Sequence, residues 1–94
     1  MYTVVRRYTG AGPVAKAMVE RHQDVEDVLR GVPGFRAYYA LLATGGTLAT
    51  ITVCDDREGT RESTRRAAAW IQKNLAGVSV SPVEITEGET FLSL

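Results

Sequence analysis

Two hydrophobic periods alternate along this chain. From Tyr2 to Tyr8 the period is two: Tyr2, Val4, Arg6 and Tyr8 share one side and Thr3, Val5 and Arg7 the other, as in a strand. Thr9-Gly10-Ala11-Gly12 interrupts it, and Pro13 suits a first helical turn, where its missing N–H is not needed. From Pro13 to about Arg30 the period lengthens. At about 100° per residue, Val14, Ala17, Met18, Val25, Val28 and Leu29 gather on one side. Arg21 falls inside that apolar arc and His22 on its border. A single amphipathic helix is predicted, stopped by Gly31, Pro33 and Gly34.

Two runs rich in aromatic and β-branched residues follow, Phe35–Leu42 and Thr47–Cys54, on either side of Gly45-Gly46. Adjacent glycines both accept positive φ, as a type I′ hairpin turn requires. Asp55 or Asp56 then caps a second helix from about Glu58 to Leu75, with Asp55 and Glu58 spaced as a capping box. Its expected core stripe is Thr64, Ala67, Ala68, Ile71 and Leu75, mostly small, with Trp70 on a flank about 100° away. Val78 to Thr86 reads as a fourth strand, Glu87-Gly88 as a turn and Thr90–Leu94 as an apolar tail. The order β-α-β-β-α-β is the ferredoxin-like arrangement: an α+β fold, its antiparallel sheet carrying both helices on one face, over the single domain 1–94. Both faces of the second and third strands are apolar enough to bury, whereas a sheet with one wet face alternates. A second copy of the chain is the simplest cover for the other face.

Composition narrows the partners. Eleven basic residues balance eleven acidic ones, so no net field draws the chain to nucleic acid or to anionic membrane. The longest apolar run, Ala37–Ala43, is far short of the roughly 20 residues of a membrane helix. The strand-like start lacks the pattern of a signal peptide, and one cysteine makes no internal disulfide, so a cytoplasmic location is expected. Gly10-Ala11-Gly12 lacks the third glycine of a dinucleotide fingerprint and the Gly-Lys-Ser/Thr of a phosphate loop, leaving a plain turn. One histidine, one cysteine and scattered carboxylates give no metal-ligand spacing. Cys54, without a Cys-x-x-Cys partner, reads as an inert buried thiol.

The β-α-β-β-α-β order, Pro33-Gly34-Phe35 opening the second strand, Trp70 on the second helix and the apolar tail together resemble the dimeric α+β barrel superfamily. Within it the chain is most similar to the antibiotic biosynthesis monooxygenase-like domain. That resemblance implies a homodimer in which two sheets close a barrel, and a pocket between sheet and helices in each subunit. It implies two chemistries: cofactor-free oxygenation of polycyclic phenols, and haem degradation. The haem-degrading branch places its histidine late on the second helix, whereas His22 lies on the first, so no cofactor is expected. The oxygenases use an asparagine, a tryptophan and a tyrosine; Trp70 matches the tryptophan, and Arg66 stands one turn earlier instead of the asparagine.

The candidate catalytic residues are therefore Trp70, Tyr39 and Arg66, and the candidate ligand-binding residues Trp70, Arg36, Tyr38 and His22. Trp70 supplies a flat wall and one N–H donor, or else seals the edge of the helix–sheet seam. Arg66 and Arg36 match a carboxylate or phenolate, although Arg66 also stands at pairing distance from Glu62 along a helix. Tyr38 and Tyr39 point to opposite faces, so at most one is expected to line a given pocket; either is of the type to donate a proton, and packing is the usual role of tyrosine in a strand. His22 is the one side chain of the type that exchanges protons near neutral pH, yet no nearby carboxylate orients it. Two functions stay open: a cofactor-independent monooxygenase acting on a small aromatic compound, and a non-catalytic ligand-binding or dimerisation module.

Overall fold

The computed structural model describes residues 1–75, 77–78 and 82–94. β1 (Tyr2–Tyr8) leads into α1 (Gly12–Glu20) and α2 (His22–Arg30), followed by β2 (Phe35–Leu42), β3 (Leu48–Cys54), α3 (Arg57–Asn74) and β4 (Glu84–Glu89). The strands form one antiparallel sheet in the order β2-β3-β1-β4, the ferredoxin-like topology that the sequence predicts.

The predicted single first helix is in fact two. Arg21 leaves helical geometry at φ −114° and ψ 39°; its N–H closes α1 on the Ala17 carbonyl, and its own carbonyl accepts from Val25 to open α2. A straight helix would carry Arg21 into the apolar stripe. The break frees its guanidinium to reach solvent and donate to Asn74 Oδ1 at 2.6 Å. The desolvation cost of a buried cation explains the bend.

The hairpin forms where expected, with a different turn. Ala43 donates to the Thr47 carbonyl and Gly46 to the Ala43 carbonyl, so Thr44, Gly45 and Gly46 form a three-residue loop. Gly45 (φ 92°) and Gly46 (φ 86°) both lie in the left-handed region, while Thr44 does not. That is the sign pattern of a type II turn extended by one glycine, not of type I′. At the other end of β2, Gly34 (φ 76°) turns its carbonyl to the Asp55 N–H, which ties Pro33-Gly34-Phe35 to the end of β3.

Asp56, not Asp55, caps α3, its carboxylate accepting from the Gly59 N–H at 2.9 Å. Asp55 instead pairs with Arg36, the extra residue in an irregularity of β2 between Phe35 and Ala37. β4 is shifted later than predicted: the expected turn Glu87-Gly88 lies inside it, opposite Val4 and Thr3. Residues 79–81 of the predicted strand fall outside the described residues. Glutamate and glycine have low strand propensity, so the pattern hid this strand. What holds it is the backbone ladder to β1, to which exposed ion pairs add little: Glu84 with Arg7 at 3.4 Å, Glu89 with the N-terminal amine at 3.9 Å and Glu87 with Arg57 of α3 at 3.3 Å. The tail beyond it, including Phe91 and Leu94, is exposed.

One face of the sheet carries the helices. There Val4, Leu48, Thr50, Thr52 and Cys54 are buried, Leu48 clustering with Ala11 and Val14 of the first helical stretch and Cys54 lying beside Gly59 of α3. The other face has no cover among the described residues. Val5, Ile51 and Val53 are half-buried at its centre, and Tyr39 (63% exposed) and Leu41 (51%) stand open on the edge strand β2. The expectation of two apolar faces therefore holds for a single chain, one of them unpartnered.

Candidate functional site

The sheet-facing side of α3 opens with Gly59, Thr60 and Ser63, all buried, and continues through Thr64, Ala67, Trp70 and Ile71, partly buried. The predicted stripe is thus rotated: Ala68 is exposed, and Trp70 turns in toward the sheet. Small residues bring the start of the helix close to β3, so close that a Cβ on Gly59 would lie 2.9 Å from Cys54 Cβ. Farther along, the larger Trp70 and Ile71 face α1 and α2 in the same helical layer, and a space remains between them.

That space is a cavity of about 60 Å³. Its walls are mainly aliphatic, Val14, Met18, Val28, Leu29, Ala67 and Ile71 among them, and its polar atoms come from Tyr8, Tyr38, Thr50 and Trp70. An apolar cavity of about 150 Å³ takes one benzene, so this chamber alone holds only part of an aromatic ligand. It continues into a groove of about 930 Å³ between α1, α2 and β2, sharing Met18, Val25, Leu29, Tyr38 and Leu48 with it. Ligand pockets span about 300–1,000 Å³, so groove and cavity together suit a small organic molecule. His22, Glu26, Arg30, Arg36 and Tyr39 border the groove.

Burial pushes the Tyr38 phenol up to about 12, helped by Tyr8 and opposed by the Thr50 hydroxyl and the positive charge of Arg6. Tyr38 is therefore a neutral O–H donor at physiological pH, not a base. Burial, followed by the Asp56 and Asp55 carboxylates, pushes the Cys54 thiol up, and Cys54 is sealed from solvent, so it is no nucleophile.

Five of the six sequence-predicted residues meet around this continuous space. Trp70 and Tyr38 line the cavity; Tyr38, Tyr39, Arg36 and the exposed His22 line the groove, which takes both tyrosines, contrary to expectation, because it runs along the edge strand β2. Arg66 lines neither. It stands 3.8 Å from Glu62 and covers Gly31 at the end of α2, where a cation complements the helix dipole. Three residues of the site escaped the sequence reading. Tyr8 and Thr50 line the cavity, and Arg6 lies beside Thr50 across the β1–β3 pair. The alternation in β1 carried a signal for two of them, because it puts Arg6 and Tyr8 on the same face as Val4.

Arg6 is 9% exposed. Its Nη2 donates to Thr64 Oγ1. Thr64 spends its own O–H on the Thr60 carbonyl at 3.0 Å, and Thr60 spends its own on the Arg57 carbonyl at 2.7 Å. The threonines of α3 thereby turn lone pairs toward the sheet. Among the described residues no carboxylate lies within ion-pairing distance of Arg6.

Among the described residues no group of three or more histidine, cysteine, aspartate or glutamate side chains could hold a metal ion, and no helix is long and apolar enough to cross a membrane. No imidazole or thiol lines the cavity, and its volume is far below that of a porphyrin. The enclosed part of the site therefore does not fit haem.

No family model and no curated protein matches the chain. Solved structures do. A protein of unknown function from Nitrosomonas europaea superposes with a TM-score of 0.68 at 16% identity, covering 99% of this chain and 91% of that one. SnoaB, a cofactor-independent oxygenase from Streptomyces nogalater, gives 0.67 at 17% identity over 99% and 95% of the two chains. The heme-degrader MhuD from Mycobacterium tuberculosis, solved with two hemes in its active site, gives 0.68 at 21% identity over 100% and 99%.

Proposed function

We propose that this chain, which has the antibiotic biosynthesis monooxygenase-like fold, binds a small hydrophobic aromatic compound between its sheet and helices and oxygenates it without a resident cofactor, as a homodimer. The observation that carries the proposal is a cavity with three aromatic side chains in a mainly aliphatic wall, next to the groove. Tyr8, Tyr38 and Trp70 supply flat surfaces and three O–H or N–H donors to a space otherwise aliphatic. Such a lining favours a planar apolar body with an oxygen at one end. SnoaB, of the same fold, is a cofactor-independent oxygenase.

An anthrone-type substrate can perform this reaction with its own electrons. Its ring CH2 becomes C=O, one atom of O2 enters the product, and the other leaves as water with both hydrogens. The four electrons come from the substrate, so no co-reductant is consumed. The protein then has to hold the ring, donate a hydrogen bond to its oxygen from neutral Tyr38, and accept a proton at the solvent side. His22, exposed on the groove, is the residue of the right type for that last role.

Homodimerisation is supported by the unpartnered sheet face. Tyr39 and Leu41 remain open there beside half-buried Val5, Ile51 and Val53, and a second copy is the simplest cover.

The test is oxygen uptake by the metal- and flavin-free protein with anthrone- and quinol-type compounds, beside binding measured through Trp70 fluorescence. Uptake that depends on substrate, and falls in Trp70→Phe and Tyr38→Phe, supports the oxygenase. Tight binding without turnover across the panel supports the second reading, a non-catalytic ligand-binding module. One observation favours that alternative: no carboxylate or imidazole lines the cavity itself.

A further inference from the structure

Arg6 is a cation that is 9% exposed and has no anionic partner among the described residues. Withdrawing a guanidinium from water costs several kcal/mol unless its five donors and its charge are answered. Here no buried side-chain nitrogen among the described residues lacks a hydrogen-bond partner, but the charge is answered by no anion. Thr64 accepts one donor, and the other side chains buried in this layer, Thr50, Thr52, Thr60 and Ser63, are neutral hydroxyls. Two carboxylates of β4 lie on the same side of the sheet: Glu87 is engaged with Tyr2 at 2.8 Å and with Arg57 at 3.3 Å, and Glu89 stands 3.9 Å from the N-terminal amine.

The position of Arg6 relative to the cavity gives this charge a use. Thr50, its register partner on β3, lines the cavity, and so does Tyr8, two residues along the same face of β1. Burial pushes Tyr38, which also lines it, up, and the positive charge of Arg6 opposes that rise. No acidic side chain lines the cavity to cancel that field.

We infer that Arg6 is a positioning residue that makes the cavity select a ligand as its oxyanion, a phenolate or enolate, by placing an uncompensated positive charge behind Thr50 and Tyr38. This rests on the aromatic-ligand reading above and specifies the ionisation state that the site favours. An enolate or phenolate is also the electron-rich form that gives electrons to O2, so the same charge would populate the reactive species. The cost of burying Arg6 is then met when ligand binds.

The experiment uses a nitrophenol, whose phenolate absorbs visible light, titrated with pH when free and when bound. The titratable groups facing the cavity are Tyr8 and Tyr38; those bordering the groove are His22, Glu26, Arg30, Arg36 and Tyr39. An opposite charge at short range lowers an acid's pKa by about one unit or more, so the bound probe should titrate at least that far below the free one. Arg6→Met, which keeps the length of the stem and removes the charge, should abolish the depression; Arg6→Lys should retain part of it. Both variants are checked for native circular dichroism. A probe that binds the wild type with an unchanged or raised pKa overturns the inference and leaves the aromatic-ligand reading standing. A depression that survives in folded Arg6→Met overturns it equally. Failure of the probe and of larger phenols to bind at all removes the aromatic-ligand reading, and this inference with it. Should Arg6→Met not fold, the wild-type pKa and the Arg6→Lys comparison decide alone.

Discussion

Gly59→Ala tests how closely α3 must approach the sheet for the site to exist. A Cβ at this position would meet Cys54 Cβ at 2.9 Å, the Pro33 carbonyl oxygen at 3.2 Å and Cys54 Sγ at 3.3 Å. None of the three can yield easily. Cys54 is fully buried on β3 and paired on both sides, with Tyr2 and Phe35, and the Pro33 oxygen is backbone. Overpacking of this kind costs about 1–3 kcal/mol. Against it stands the helix propensity of alanine over glycine, at most about 1 kcal/mol. The net expectation is a loss of roughly 1–2 kcal/mol, or a melting temperature lower by about 5–10 °C for a domain of this size.

Gly31→Ala is the control. Its nearest neighbour is the far end of the flexible Arg66 side chain at 3.1 Å, and its backbone is already right-handed at φ −75°, so it should be neutral or slightly stabilising. Thermal and urea denaturation at one fixed protein concentration measure both variants, since any dimer makes stability concentration-dependent. The Gly59 variant should also bind aromatic ligands more weakly, because displacing the start of α3 moves Trp70. A Gly59→Ala protein as stable as the wild type would refute the close-packing argument.

Other outcomes follow from the same geometry. Asp56→Ala should lose about 1 kcal/mol in denaturation with its cap hydrogen bond to Gly59, and Asp55→Ala clearly less, because its partner Arg36 is exposed. The raised Tyr38 pKa means that the unfolded chain releases this proton first, near pH 10. Its stabilising contribution is complete below that pH and is lost as pH rises through about 12, by at most about 3 kcal/mol. Tyrosinate absorbance and alkaline denaturation of wild type and Tyr38→Phe check it; a Tyr38 that ionises at the ordinary value in the folded protein would contradict the burial argument. Leu41→Asp and Ile51→Lys place charge on the open sheet face and should yield a monomer in analytical ultracentrifugation, if the wild type is the dimer that face calls for. Persistence of the dimer in both would point to a different interface.

Much of the architecture was legible in the linear pattern. Alternation in Tyr2–Tyr8 and the flanks of Gly45-Gly46 identified three strands, because burial on a pleated sheet imposes a period of two whatever the neighbours. Trp70, Tyr38, Tyr39, Arg36 and His22 could be nominated from residue type and resemblance, and they border one continuous space. Other features were settled by contacts between distant segments. Asp56 became the cap because Arg36 claims Asp55 across the sheet edge. β4 exists because β1 offers it an edge to pair with over Tyr2–Arg7, and no local propensity reports that. α1 and α2 part at Arg21 because only the packed molecule decides whether a charge inside an apolar arc is buried or bent away toward Asn74. Arg6 is the sharpest case. The sequence by itself placed it on the face of Val4 and Tyr8. That it lies buried beside the cavity, with threonine hydroxyls but no carboxylate around it, came only from folding α3 onto β1 and β3, since a local pattern records which way a side chain points and not what meets it there.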